Sequence, residues 1–313
     1  MLRFIVSRLV STVGALFVLT VVTFVMVRLM PGDVVTTLTG IENVSDEARE
    51  RITREYGLDQ PLPVQYLRWL SHVVQGDLGR TALTGQPVAS VLAEKIVPSL
   101  QIAILAVMVS VVVAVSLGTL AAVRRGRLSD RFATLTAIVG TSLPDFVVGL
   151  LLIVLLARTF GLATFGYEPL SEGFLTWARH IVLPVLALSL GLIGLLTRLT
   201  KTAVRETLQQ EYVRTARSKG VHGWRLLWRH ILRPSLIPVI TSAGLQLVAV
   251  IGGVVVIEVV FSIPGMGKLI FDALRQRDYA VIQAATLAIG CVAVAVSLLV
   301  DVIYRQLDPR LRR

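Results

Sequence analysis

The sequence is short of charge and nearly devoid of cysteine. Only 16% of its 313 residues are Asp, Glu, Lys or Arg, where a soluble domain of average composition carries roughly a quarter. The charges that exist are clustered and leave long neutral stretches. Together with 54% hydrophobic residues and a mean hydropathy of +0.75, this argues against a water-soluble domain and for an integral membrane protein. Cys291 stands alone in an apolar run, which excludes an intrachain disulfide and a cysteine metal cluster; its expected role is that of a small packed hydrophobe. Histidine is scarce as well. His72, His180, His222 and His230 fall in separate loops or at span ends with no pair at ligand spacing, so no metal site is expected. A phosphate-cradling loop is missing too. The nearest imitation, Gly267-Lys268, has Ser262 where the first glycine belongs and Leu269 where Ser or Thr belongs. There is no Gly-x-Ser-x-Gly elbow, no paired-carboxylate site and no nucleophile and base that face each other at membrane depth. The chain is therefore expected to be no enzyme, with no catalytic residues and no cofactor of its own.

What is present is a series of apolar runs. A helical span needs roughly 20 mostly apolar residues. Six stretches qualify: Leu9–Val27, Val97–Val123, Phe132–Ala157, Ile181–Leu196 (the shortest), Ile237–Val260 and Ala280–Tyr304. They are too long and too uniformly apolar for barrel strands, so the expected class is all-α and polytopic, one transmembrane domain over 1–313 with six helices. Arg3 and Arg8 precede the first run, as in a signal peptide, but the run is longer than a signal's apolar region and ends in Arg28-Leu-Met-Pro-Gly-Asp33. A retained span is expected.

The net charge of +11 is distributed as a membrane protein distributes it. With the N-terminus inside, the inner segments hold 19 of the 31 Lys and Arg and five of the 20 acids, the outer segments 12 basic residues and 14 acids. The positive-inside rule then predicts both termini in the cytoplasm, and this pattern gives no reason to invoke nucleic acid.

Two connections are long. The outer loop, 30–96, predicts two short helices. The first opens at Ser45, a good N-cap followed by acids, and stops at Gly57; the second covers Val64–Val74 after Pro61-Leu-Pro63. They are either a structural cap or a binding surface. The inner loop, 198–234, predicts helix, turn, helix: Lys201–Ser218, a break at Gly220, and Trp224–Leu232, with Pro234 and Pro238 marking entry to span five. From spacing alone this basic segment either docks on a partner or lies on an anionic leaflet.

The inner loop also carries a motif. Arg214-Thr-Ala216-Arg-Ser-Lys-Gly220, followed by Leu232 and Pro234, resembles the Glu-Ala-Ala, three residues, Gly loop of permease subunits of ATP-binding-cassette importers. Arg214 replaces Glu and Thr215 replaces Ala. The string Glu211-Tyr-Val-Arg-Thr-Ala-Arg-Ser-Lys-Gly220 is similar to the dipeptide, oligopeptide and nickel branch. So are Leu29-Met-Pro-Gly-Asp33, Gly57-Leu-Asp-Gln-Pro-Leu-Pro-Val-Gln-Tyr66, Gly76-Asp-Leu-Gly79, Ser142-Leu-Pro144 with Phe146, Glu258-Val-Val-Phe-Ser-Ile-Pro-Gly-Met-Gly267, Arg277-Asp-Tyr279 and Leu307-Asp-Pro-Arg310. Order and spacing cover nearly the whole chain.

The resemblance implies a type I importer permease fold in a bacterial cytoplasmic membrane. It implies as partners a second homologous permease, two ATPase subunits that hold the ATP and Mg, and an external substrate-binding protein. It implies a coupling helix at Glu211, Arg214, Thr215, Ala216, Arg217, Lys219 and Gly220, where small residues such as Ala216 and Gly220 permit close approach. The implied cargo is a short peptide, with a nickel chelate as the alternative within the family. An ion-driven secondary transporter is the rival from another class, but no convincing internal repeat supports it. Asp145, beside Pro144 in span three, either faces the path and attracts a substrate ammonium or is paired or hydrated within the bundle. Glu258, Phe261, Pro264, Gly265 and Gly267 form either part of the outer gate or a rigid turn before span six. Gly140, Gly149, Gly244, Gly252 and Gly253, within spans, are read as packing positions.

Overall fold

The computed structural model describes residues 2–29, 59–124 and 126–307, together with the isolated positions 47, 50 and 53. Apart from those three positions, the helix expected from Ser45 to Gly57 lies outside the described residues, as do the motif residues 30–33, 57–58 and 308–310. The regular elements among them are helical. They group into two compact units, residues 1–99 with 264–295, and residues 100–263 with 296–313.

The first unit contains α1 (Leu2–Leu29), α2 (Leu62–Val74) and the start of α3 (Val88–Val123). It also contains α11 (Met266–Gln276) and much of α12 (Tyr279–Leu307). The expected Val64–Val74 helix is thus present, begun two residues earlier by Pro61 and Pro63, whose fixed φ suits a first turn. α2 packs on α1 through aromatic rings. Tyr66 meets Phe24 edge-on at 5.4 Å and reaches the Thr20 hydroxyl at 2.8 Å. Arg28 lies over the Phe24 ring and donates to Gln65, so the cation at the end of this apolar helix has an aromatic face and an amide oxygen as partners. A second cluster joins Val88 and Leu92 to Met266, Ala273, Tyr279, Ile282 and Ala285. Cys291 on α12 is exposed rather than packed as expected.

The second unit holds the rest of α3, then α4 (Leu128–Ser142) and α5 (Asp145–Leu152) with its π-helical continuation Ile153–Ala157. After these come α6 (Phe174–Leu208), α7 (Glu211–Ser218), α8 (Gly223–Leu226) with the π-helical Leu227–Leu232, α9 (Arg233–Gly253) and α10 (Val255–Val260). α6 is its axis and packs against α4, α5 and α9. Serine hydroxyls stitch α3 to α6: Ser110 and Ser189, both fully buried, reach Ser189 O and Ala106 O across the crossing at 3.2 Å. Polar contacts of this kind hold helices together where lipid offers no hydrophobic incentive.

The expected spans are altered in four places. Phe132–Ala157 is not one kinked helix: it breaks at Leu143-Pro144 and turns through 107°. Proline removes an amide donor and drives the preceding residue out of the helical region, and Leu143 sits at φ −97, ψ 130. The fourth run, read as the shortest, is a 35-residue helix. Lys201–Ser218 is two helices, interrupted at Gln209 and Gln210. The fifth span starts earlier than expected, because the helix runs on from Gly223 through Pro234 and Pro238. The π-helical stretch just before Pro234 shifts the hydrogen-bond register there. By length and composition, four described helices can cross a membrane, or five if the bent pair is one span; within α1 the described apolar stretch Val10–Met26 is shorter. The expected six is therefore not reached among the described residues. Many large apolar side chains on these helices are exposed, among them Val13, Phe17, Val112, Leu150 and Val154, as lipid-facing surfaces require.

Candidate functional site

α7 owes its independence to the break before it. Gln210 is extended, at φ −69 and ψ 143, and Glu211 follows in the first turn of the new helix, where a carboxylate meets the positive end of the dipole. The helix has two faces. Val213 and Ala216 are buried against Val204 of α6 and against Leu226, Ile231 and Leu232. Glu211, Tyr212, Arg214, Thr215, Arg217, Lys219 and Gly220 are exposed. Arg214 pairs with Glu211 at 3.0 Å, an exposed pair worth little in stability. Partial burial raises the Tyr212 phenol above its ordinary value, against the opposing effect of a hydrogen bond with Thr207.

Two of the small residues singled out in the sequence have other reasons for being there. Ala216 is not on the free face: it packs within its own bundle. Gly220 has open space around the position of a Cβ, but its φ is +82. The Gly220 amide donates to Arg217 O at 2.9 Å and the Val221 amide to Ala216 O at 3.1 Å. This is the paired-bond stop of a helix that requires a left-handed residue, and glycine takes that conformation without cost from a side chain.

Side-chain contacts tie together the helices that carry α7. Ser235 Oγ of α9 lies 2.9 Å from Thr207 Oγ1 of α6, with both hydroxyls buried. Nearer the start of α4, Asp130 accepts from Lys201 at 2.5 Å and Arg205 at 3.2 Å, both on α6, and from the Gly126 amide at 3.1 Å.

The expected path residues fall into three places. Asp145 is not mid-helix, as expected, but opens α5 directly after Pro144 and is exposed. One of its carboxyl oxygens lies 3.2 Å from where a Cβ would project from Gly191 of α6. Glu258 and Phe261 belong to the second unit. Glu258 is fully buried in α10, and its carbonyl accepts the Ile263 amide at 2.8 Å. Just after Phe261, Ser262 adopts φ +52, a left-handed turn residue that is not glycine. The Phe261 ring is 1% exposed and lies against Gly149, where a Cβ would stand 3.0 Å from the ring edge. Among the described residues, a Cβ at Gly252 or Gly253 would meet nothing within 4 Å, so no packing contact is seen there. Pro264, Gly265 and Gly267 belong to the first unit. There Gly265 caps α11, and the Met266 amide donates to Ser99 Oγ at 2.8 Å.

Sequence reasoning missed the polar node that fixes the Phe261 turn. The Gly166 amide donates to Phe261 O at 2.8 Å. The segment around Gly166 is held in turn by Gln101, whose Oε1 accepts from Tyr167 Oη at 2.9 Å and Trp177 Nε1 at 3.1 Å. The available signal was Gln101 itself, an uncharged polar residue near the start of a long apolar run.

The family model described as "Binding-protein-dependent transport system inner membrane component" matches residues 114–313, and its N-terminal counterpart matches residues 1–115. A probable peptide ABC transporter permease protein of Sinorhizobium fredii is 37% identical over 310 residues, covering 99% of each chain. A glutathione transport system permease protein of Escherichia coli is 36% identical over 313 residues, covering 100% of this chain and 99% of its own. Among solved structures, inward-facing conformations of the MetNI methionine ABC transporter match with a TM-score of 0.57 at 16% identity, over 70% of this chain and 96% of theirs. That likeness shows the fold, that of type I importer permeases. The two family models meet near residue 115 and leave no part of the sequence unmatched: the chain belongs to the binding-protein-dependent transport system inner membrane components.

Proposed function

We propose that this chain is one of two permease subunits of an ATP-driven importer, that it lines half of a path for short peptides, and that α7 is where a separate ATPase subunit drives it. The observation that carries the reading is the division of labour on α7. Its apolar residues anchor it to its own bundle, while Arg214 (paired with Glu211), Arg217 and the capping Lys219 are exposed on a short helix. A helix presented in this way suits insertion into a partner's cleft, and its mount passes a push on to α6 and α9. Relatives matched over their full length, one a probable peptide permease and one a glutathione permease, support a peptide cargo supplied by an external binding protein.

In this reading both termini and α7 face the cytoplasm, following the basic residues of the inner loops. ATP and Mg belong to the partner subunits. ATP binding there moves α7, and the bundle opens outward to accept peptide. Asp145, exposed at the broken span, attracts the substrate ammonium, and the turn from Glu258 to Gly267 belongs to the outer gate. The test is uptake of labelled dipeptide, tripeptide and nickel chelate into proteoliposomes holding the whole assembly and its binding protein. ATP-dependent peptide uptake supports the proposal, whereas uptake of nickel alone, or uptake driven by an ion gradient without ATP, overturns it.

A further inference from the structure

Beyond α7 the chain exposes a feature that coupling does not use. Trp224 and Trp228 stack face to face, with ring centroids 5.8 Å apart and planes 16° apart. They are 68% and 52% exposed. Leu226, Ile231 and Leu232 of the same segment turn inward to the bundle, so the two indoles form an outer face of their own. Around them His222, Arg225, Arg229 and Arg233 are exposed as well. No Asp or Glu occurs between Tyr212 and Ile257, so nothing on this stretch neutralises the arginines.

The position of this face along the helix decides what it meets. The helix from Gly223 to Gly253 has 31 residues, about 46 Å at 1.5 Å per residue. The hydrocarbon core is about 30 Å thick, and about 40–45 Å including the headgroup regions. When its last residues, about 20 of them, fill the core, the preceding about 11 extend about 16 Å beyond it, through the headgroup layer. Stacked indoles are amphipathic in the way that depth favours, and arginine forks match phosphate oxygens.

We infer that Trp224 and Trp228, with Arg225 and Arg229, form an interfacial anchor that binds the headgroup region of anionic lipids and fixes the depth of the fifth span. The anchor sits directly after α7 and its Gly220 stop. It therefore holds one end of the coupling segment at the membrane surface while α7 remains free to be pushed. This rests on the chain being embedded in a membrane and not on its cargo, so failure of the peptide reading leaves it standing.

The experiment uses the full-length chain reconstituted in nanodiscs with acyl chains brominated close to the headgroup, on either phosphatidylglycerol or phosphatidylcholine. Tryptophan emission of the wild type is compared with that of W224F/W228F, and the difference reports the pair. The expected result is quenching of the pair by both lipids, stronger by at least about twofold with the anionic headgroup at equal mole fraction. R225Q/R229Q should bring that ratio to one while the shallow quenching persists; because it keeps both indoles and the inward leucines, it also controls for folding. Equal quenching by the two headgroups in the wild type overturns the lipid preference. A pair that bromine does not quench but aqueous acrylamide does, or that is shielded only after ATPase subunits are added, overturns the anchor and assigns the face to water or to protein.

Discussion

The carboxylate of Asp278 receives the Ala82 amide on one oxygen at 2.9 Å and the Val281 amide on the other at 3.2 Å. Asp278 is 4% exposed. It therefore caps the start of α12 and, across 196 residues of sequence, ties down the turn that leads into α3. Arg277 before it is left-handed, at φ +55, and closes α11. Removing the carboxylate leaves two amides without their acceptor, and an unsatisfied buried donor costs about 1–3 kcal/mol. Asp278→Ala should lower thermal stability in detergent by about that amount, and Asp278→Asn, which keeps one acceptor, by less. The check is the unfolding midpoint of both variants; a wild-type midpoint for Asp278→Ala would refute the capping role.

Gly220 permits a test that separates geometry from docking. A left-handed backbone costs an L-residue about 1–2 kcal/mol, whatever the size of its side chain, and asparagine tolerates it best. Gly220→Ala and Gly220→Leu should therefore impair coupling of ATP hydrolysis to uptake to a similar degree, with Gly220→Asn milder. Stimulated ATPase and uptake measured together give the answer. If Ala behaves as wild type while Leu abolishes coupling, close approach of a partner is the controlling factor instead of helix termination.

The two faces of α7 make opposite forecasts. Val213 is fully buried in the cluster with Val204 and Leu232, and a charge placed there would be desolvated and unpaired. Val213→Asp should yield little folded protein in the membrane. Arg217→Glu, on the exposed face, should leave amount and thermal midpoint unchanged while cutting ATPase stimulation by severalfold, since reversing a rim charge mainly weakens association. Quantifying membrane-inserted protein beside ATPase activity distinguishes the two. Equal yields for both variants would contradict the assignment of faces.

These particulars show how far the sequence was readable. Apolar runs announced membrane helices, since lipid demands them along the whole span. The exposed basic face of α7 was visible because its residues are charged and close in sequence. The 107° break was half visible: Pro144 predicted a disturbance, but whether a proline kinks or severs a helix depends on the neighbours that stabilise the bent form. Pro184 and Pro238 sit inside continuous helices. Gly220 was legible as a residue but not as a reason, because open space and a positive φ both belong to tertiary and backbone geometry. The Gln101 node and the Asp278 cap were not legible, since each joins residues dozens to hundreds apart through single hydrogen bonds that leave no periodic trace.

The contact of Phe261 with Gly149 gives the last prediction. The ring is held by its cluster, with Ile257, Ile263, Val185 and Ala187 among its members, and its own carbonyl is fixed by the Gly166 amide. A methyl group at position 149 would arrive 3.0 Å from Cε2 and 3.4 Å from Cζ of a rigid ring, and 3.7 Å from the Ala187 Cβ, so the ring or the α5 backbone must yield. Overpacking of this kind costs about 1–3 kcal/mol. Gly149→Ala should lower the unfolding midpoint and slow uptake, because displacing Phe261 strains the turn that runs on to Pro264. Phe261→Leu, which removes the ring edge, should leave its own cavity penalty but absorb the added methyl. The double variant should therefore be more stable than the sum of the single effects by about 0.5–3 kcal/mol. Unfolding of the four proteins in one detergent supplies the cycle. Strict additivity would mean that the methyl finds room elsewhere, and that Phe261 is not positioned by its contact with α5.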